Sequence, residues 1–373
     1  MKNLEEKINF QPFLNCLADK AFLCENSRGR RINAVETDDD QMYFGVMNPY
    51  FIDKNKILLS KSYRRMNDKT QVFFDHKNIH VRNRLIHTSS AITIGVMIAR
   101  ITGLNEALVE AILLLHDTGH TPYGHLGERV ISKIADRKFQ HATMSVVVAQ
   151  KVERSGKGIN ASYETLEGAL HHSRNYNDLT VVSNQPLEYG VASLADKLAY
   201  VPDDLNDAIR CAYLKSTDIP GEYFSLGKNQ RERVMNIIYA LVSESYEMKN
   251  LSFCQSDVAK NFQLVRQWSF NNFYLKLDSE IQRIVGWKKI EDAYDFIANH
   301  SPLFGQDPLL PIALMGDSEI NRINVWLKKH NKNEKFKFEN LSYYEILKSF
   351  PEGHKVDMFN ADLNPSNFSK PVF

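Results

Sequence analysis

The sequence is short of thiols, of net charge and of long apolar runs. Only four of its 373 residues are cysteines: Cys16, Cys24, Cys211 and Cys254. They are scattered, with no Cys-x-x-Cys pair. That argues against a disulfide scaffold and a thiolate zinc site, and fits a reducing cytoplasm. Lys and Arg total 46 against 45 Asp and Glu, a formal net charge of +1. A globally basic nucleic-acid coat and a globally acidic, disordered chain are both excluded, and any anion site must be a local patch. The longest nearly apolar stretch, Ala91–Ala99, is far short of the ~20 residues that a spanning helix needs. The opening Met-Lys-Asn-Leu-Glu-Glu-Lys has no apolar segment of the secretory kind. The expectation is a soluble, cytoplasmic protein with no membrane partner. Strand-like alternation is scarce too, with Val72–Phe74 and Thr180–Val182 as brief exceptions.

What the chain does have is helical period. Leu104, Leu108, Ala111, Ile112 and Leu115 form one stripe between Gly103 and Gly119. Helices are expected over 56–67, 85–101, 144–152, 164–172, 191–201, 230–249, 259–285 and 290–299, so the class is all-α. Residues 1–56 read as a lead-in, with Arg28, Arg30 and Arg31 and then Asp38-Asp39-Asp40 as exposed loop. Residues 57–210 read as the core, and 211–373 as a further C-terminal helical layer that completes it or offers an oligomer surface. The tail from Asn364 lacks periodicity and is expected to lie extended.

Nine of the 12 histidines fall between residues 76 and 172. The densest segment is His116-Asp117-Thr118-Gly119-His120-Thr121-Pro122-Tyr123-Gly124-His125-Leu126-Gly127-Glu128. An apolar helix ending in adjacent His and Asp sets two metal-ligand types at the edge of a core. Imidazole with carboxylate suits a divalent metal such as Mn, Fe, Co, Ni, Zn or Mg. Adjacent residues cannot complete a coordination sphere, and His87 and Asp196 are the best further candidates. The bland alternative is that His87 caps a helix and Asp196 pairs with Lys197 or an Arg. His125 and Glu128, i and i+3, share a face if Gly124 opens a helix, and Glu128 would then fix the tautomer of His125. Residues 61–84 hold seven bases, Lys61, Arg64, Arg65, Lys69, Lys77, Arg82 and Arg84, against Asp68 and Asp75. Such a patch suits a nucleoside triphosphate. Arg84 lies one helical turn before His87. Asp196, Tyr200 and Asp204 are i, i+4, i+8 on one face. Pro202, between the last two, kinks or ends that helix.

The pattern H…HD…D, with Ser62-Tyr63-Arg64-Arg65-Met66-Asn67-Asp68-Lys69-Thr70-Gln71 before it and Asp196-Lys197-Leu198-Ala199-Tyr200 after it, resembles the HD-domain deoxynucleoside triphosphate triphosphohydrolases, the dGTPase-like family. Four ordered motifs over roughly residues 56–210 carry the resemblance. It implies an all-α fold with one divalent metal, Mn2+ or Mg2+ first, held by His87, His116, Asp117 and Asp196. It implies that His125 and Glu128 orient water, that His120 lies by the α-phosphate and protonates the leaving oxygen, and that His141 lies near the phosphates. It implies that Arg65, Arg84 and Lys197 bind phosphate, that Gln71 and Asp204 bind the 3′-hydroxyl, and that Tyr200 excludes a 2′-hydroxyl. The products would be a deoxynucleoside and triphosphate. The resemblance further implies a homo-oligomer (dimer, tetramer or hexamer), a nucleotide effector, and single-stranded nucleic acid as a further partner. Asp203 departs from the family's usual His, and Asp53–Ile57 is a loose version of its Arg/Asp-rich run. The competing readings are another HD phosphohydrolase, such as a nucleotidase or cyclic-nucleotide phosphodiesterase, and a nucleotide- or nucleic-acid-binding regulator without turnover. His171 and His172 read as structural; His300, His330 and His354 have no sequence partner and read as surface residues.

Overall fold

Asn48 and Ser60 open the first two helices by accepting backbone N–H bonds, from Tyr50 at 2.9 Å and Tyr63 at 3.2 Å. They are α1 (Pro49–Leu58) and α2 (Lys61–Arg65). The single helix expected over 56–67 is therefore two, because the Ser60 cap starts a new one. The computed structural model describes residues 8–31, 47–74, 78–173, 179, 184–278, 281–329 and 335–369. The Asp38–Asp40 run, Asp75, His76, Lys77, Thr180–Val182, His330 and residues 370–373 lie outside them.

The remaining helices are α3 (Arg84–Thr102), α4 (Glu106–Leu115), α5 (His125–Ala135), α6 (His141–Val147, continued by a π turn Val148–Val152), α7 (Tyr163–His171), α8 (Leu187–Arg210), α9 (Gly221–Ser225), α10 (Gln230–Met248), α11 (Asp257–Ser269, continued by a π turn Phe270–Tyr274), α12 (Leu275–Asp278), α13 (Ile281–His300), α14 (Leu309–Leu314), α15 (Asp317–Lys329) and α16 (Ser342–Lys348). The fold is all-α. Its β structure among the described residues is one antiparallel pairing of β1 (Arg30–Arg31) with β2 (Phe368–Ser369) and an isolated bridge, Thr70 to Asn83. Val72–Phe74 forms no strand. Asn364, before β2, caps a short turn through Ser366 N–H at 3.1 Å.

The chain groups into two units, each made of interleaved segments: 1–26, 87–113 and 171–276 in the first, and 27–86, 114–170 and 277–373 in the second. In the first, α8 packs on α10 and α11, and α9 and α10 also pack on α11. Its core includes Leu198 and Leu205 of α8, Ile238 and Leu241 of α10, and Phe262 and Val265 of α11. Every residue of the α4 stripe is buried, and so are Val109, Leu113 and Leu114. A helix apolar all round is a central one. Among the described residues α3 is the one helix long and apolar enough to cross a membrane; half of it is buried in the protein.

In the second unit α13 lies against α5 and α15, while α14 packs on α5 and α16. One core joins Val130 and Ile131, Met144 and Val147, Ile290 and Ile297, Leu310, Ile320 and Tyr343. The motif-free stretch after residue 210 thus supplies core to both units. His300 is exposed, as expected, with its Nδ1 3.1 Å from the Phe296 carbonyl; His354 is half-buried and bonds the Lys151 carbonyl at 2.8 Å, so it is not the plain surface residue expected.

Candidate active site

Where α4 ends, in the second unit, the chain turns at once. Thr118 N–H and hydroxyl both donate to the Leu115 carbonyl, at 3.1 and 2.9 Å. Gly119 is forced by space: a Cβ there would stand 2.1 Å from the backbone nitrogen of Ser145. Ser145 Oγ accepts from Gly119 N–H at 2.9 Å and donates to the His116 carbonyl at 2.7 Å, which latches the turn to α6. Tyr123 and Gly124 take φ of +57° and +59°, and α5 begins at His125. Asp317 holds the turn's far side, accepting from Tyr123 N–H at 2.8 Å and from the Thr70 hydroxyl at 2.5 Å. Burial pushes its carboxyl up to about 6.

This folding collects imidazoles and carboxylates. Glu128 Oε1 lies 2.8 Å from His141 Nδ1, 3.0 Å from His125 Nδ1 and 3.4 Å from His120 Nδ1. The rings of His120 and His141 stack 4.1 Å apart at 11°. Asp117 Oδ1 stands 3.8 Å from Nε2 of both, and Asp117 Oδ2 stands 3.5 Å from His116 Nε2. His120, His125, Glu128 and His141 form one cluster that could hold a metal ion. Arg84 is buried; it donates to Asp117 Oδ2 at 2.8 Å and to the carbonyls of Thr70 and Gln71 at 3.1 and 3.2 Å.

The charges follow from that packing. Burial alone would raise the Asp117 carboxyl, but His116, Arg84, His120 and His141 hold it well below its ordinary range. Burial likewise works against ionised Glu128, and His141 and His125 outweigh it, so Glu128 stays a carboxylate. His120 is pushed far down by burial, and by Arg84 and His141, and is neutral. Burial opposes protonation of His141 as well, but Glu128 beside it raises its pKa. Protonation is thus favoured on His141 over His120. Both ring nitrogens of His120 are buried without a hydrogen-bond partner.

The basic run over 61–84 does not lie together on the surface. Lys61 pairs with exposed Glu345 at 2.6 Å. Lys69 is buried against the carbonyls of His120 and Ala313, and burial pushes its ammonium down to about 7. All three guanidinium nitrogens of Arg65 are buried with no hydrogen-bond partner, as is Gln71 Oε1.

In the first unit the functional candidates line α8. His87 Nε2 and Asp196 Oδ1 are 3.0 Å apart. Tyr200 OH accepts from Arg266 Nε at 3.2 Å, and Asp204 Oδ2 accepts from Tyr274 OH at 2.6 Å. Burial pushes the Asp204 carboxyl up to about 7. Lys197 Nζ turns back one helical turn to Ser193 Oγ at 2.6 Å. The helix does not end at Pro202: α8 continues to Arg210, so Asp204 follows Tyr200 by one turn. Asp203 accepts from Gln230 at 2.6 Å. His171 bonds Gln185 at 2.7 Å. Sequence reasoning missed Arg266, Tyr274 and Asp317, which lie in stretches without a motif.

These elements define an HD-domain protein: residues 84–201 match the HD domain family. Three relatives all carry the name deoxyguanosinetriphosphate triphosphohydrolase-like protein. The one from Clostridium tetani is 34% identical over 67% of this chain and 71% of its own. That from Caldanaerobacter subterraneus is 37% identical over 69% and 73%, and one from Clostridium perfringens is 32% identical over 73% and 80%. The chain belongs to the deoxyguanosinetriphosphate triphosphohydrolase-like family.

Proposed function

We propose that the protein hydrolyses deoxynucleoside triphosphates, dGTP among them, to deoxynucleoside and inorganic triphosphate in the cytoplasm. The observation that carries this reading is the convergence of three imidazoles on one ionised carboxylate, Glu128, beside a second ionised carboxylate, Asp117. We assign one divalent metal, Mn2+ or Mg2+ first, to His87, His116, Asp117 and Asp196. Donors bound at ~2.0–2.2 Å to one ion stand about 3 Å apart. The pairs His87–Asp196, at 3.0 Å, and His116–Asp117, at 3.5 Å, suit that spacing within their own units. When bound, such an ion supplies Lewis acidity toward the α-phosphate.

The residues supply the rest. Glu128 fixes His125, whose side chain is 63% exposed and can meet an incoming water. His125 takes the water's proton as the water oxygen bonds to the α-phosphorus. The bond from that phosphorus to O5′ then breaks, and O5′ must gain a proton to leave as the deoxynucleoside. Glu128 favours the protonated form of His141, from which O5′ takes that proton, and neutral His120, stacked on it, stands ready as a hydrogen-bonding group toward the phosphate. Arg65 has buried, unsatisfied guanidinium nitrogens for phosphate oxygens, and Gln71 a buried acceptor for a sugar hydroxyl. Arg84 serves first as the charge partner of Asp117. Tyr200 and Asp204 are assigned to the sugar, and Lys197 to phosphate. Residues 57–210 carry these motifs, and a homo-oligomer and a nucleotide effector belong to the same reading.

The test is a product assay in 18O-labelled water with Mn2+ and each of the four dNTPs. Triphosphate carrying the label and unlabelled deoxynucleoside are expected. Release of monophosphate with pyrophosphate would refute the reaction.

A further inference from the structure

Away from the histidine centre, the second unit holds a cavity of about 360 Å3 bordered by Lys151, Lys157, Lys355 and His354. That volume falls at the small end of the roughly 300–1,000 Å3 usual for ligand sites. Among the described residues none of the three lysines is paired with a carboxylate; elsewhere in this unit Lys61 has Glu345 and Arg30 has Asp53. Three uncompensated ammonium groups around one concavity raise the local concentration of anions. Glu153, the adjacent acid in sequence, has both oxygens engaged by the N–H groups of Lys61 and Ser62, at 3.1 and 2.7 Å.

The wall of the cavity is a built loop. Between residues 154 and 160, five take positive φ: Arg154 (+52°), Ser155 (+58°), Gly156 (+87°), Gly158 (+79°) and Asn160 (+51°). Left-handed backbone at non-glycine residues is costly and persists only when the surroundings enforce it. They do so here. Gly158 N–H bonds the Glu153 carbonyl at 2.9 Å, Ile159 N–H bonds the Ala149 carbonyl at 2.8 Å, and the Asn160 carbonyl accepts from Arg30 at 2.5 Å. Gly156 lies flat on His354, where a Cβ would stand 3.0 Å from Nε2, and that nitrogen bonds the Lys151 carbonyl at 2.8 Å. The N–H groups of Gly156, Lys157, Gly158 and Ile159 are all spent on backbone carbonyls, so the loop shapes the wall and the lysines supply the charge. Loop and imidazole are thus fixed relative to one another before any ligand arrives.

We propose that this cavity binds a phosphate chain, with Lys151, Lys157 and Lys355 neutralising its oxygens. Two sources share that chemistry: free inorganic polyphosphate, and the polyphosphate of a nucleotide. The site shares no residue with the histidine centre, so the proposal stands or falls apart from the hydrolysis.

The test is calorimetry on the full chain in EDTA, which removes metal, with inorganic tripolyphosphate and ATP as probes. Wild type is compared with the double variant Lys157→Glu/Lys355→Glu. Both lysines are exposed, and unchanged circular dichroism and melting check that the variant folds. Tripolyphosphate is expected to bind wild type and to bind the variant at least about tenfold more weakly. It should also shield Lys157 and Lys355 from acetylation, read by mass spectrometry. ATP binding more tightly than tripolyphosphate, with the advantage lost in the variant, assigns a nucleotide; tripolyphosphate binding as tightly or better assigns the inorganic chain. Equal affinity in wild type and variant, or acetylation unaffected by the probe, overturns the proposal.

Discussion

Glu128 finds all three of its imidazoles no more than 13 residues away, whereas Asp204 finds its hydroxyl partner, Tyr274, 70 residues away. Burial opposes ionisation of both carboxylates, yet their pKa values move in opposite directions. Cationic and hydrogen-bonding neighbours hold Glu128 well below its ordinary pKa. One hydroxyl cannot offset burial at Asp204, which rises to about 7. Burial alone therefore does not decide the charge of a buried acid; the number of partners aimed at it does. The histidine centre is a locally assembled, charged device. Asp204, on α8, finds its partner at long range and is the carboxyl that burial raises.

The sharpest way to break the charged side is Asp117→Ala. It leaves Arg84 buried without its carboxylate, which typically costs about 3–5 kcal/mol. On the proposed ligand set it also removes bound metal, and turnover falls by about 10²–10³-fold or more. Denaturant unfolding reads the first effect and elemental analysis the second. A variant that keeps stoichiometric metal shows that Asp117 is no ligand.

Next in size is Glu128→Gln, with a loss in turnover of about 10²–10⁴-fold expected for a lost acid–base partner. Its pH signature is specific. His141 is raised in the folded protein, so its contribution to stability is full below the ordinary imidazole value of about 6.5 and is lost as pH rises through the folded value. Glu128 is depressed, so its contribution is present above the ordinary carboxylate value and is lost as pH falls through the folded one. The Gln variant should flatten both limbs of the unfolding midpoint against pH. An unchanged profile shows that the pair is not coupled.

The same contrast explains what could be read in advance. His116, Asp117, His120, His125 and Glu128 are legible because one apolar helix end, one turn and one new helix carry them within 13 residues. The all-α class follows from stripes such as Leu104–Leu115. Arg266 and Tyr274 carry no local signal: Tyr274 sits in a π turn of an aromatic-rich stretch and reaches Asp204 only because α11 packs on α8. The basic run over 61–84 misleads for a related reason. Spacing counts charges but not burial, and Lys69 and Arg84 are spent on backbone carbonyls and on Asp117. Of the two outcomes expected at Pro202, the helix end does not occur, because a proline removes one N–H without forbidding the helix around it, and α8 runs on.

On the α8 side, Tyr200→Ala tests the sugar gate. The ratio of kcat/KM for a deoxynucleotide over its ribonucleotide should fall about tenfold, the scale on which a pocket wall discriminates by sterics. The variant also strips Arg266 of its phenol acceptor, so Tyr200→Phe is the control: it removes that bond yet keeps the ring, and should keep selectivity. An equal loss in both variants would assign the effect to Arg266 rather than to sterics.

The smallest effect is expected from Tyr274→Phe, which deletes one hydroxyl and no packing volume. That hydroxyl favours ionised Asp204 against burial. A carboxyl raised in the folded state gives stability that is full below its ordinary value of about 3.8 and falls away as pH rises through the folded value near 7. Removing the hydrogen bond lifts the folded value further, so the window over which stability falls should extend above pH 7. A bond to a charged group is worth about 1.5–3 kcal/mol net, and Asp204 is only partly charged near neutrality, so the shift in midpoint stays below that range. If Asp204 receives the sugar hydroxyl as an ionised acceptor, KM rises in the variant at pH 7 and recovers at pH 9 while kcat holds. A KM that is equally poor at both pH values would mean that Tyr274 itself touches the substrate, and that the α8 face extends onto the π turn.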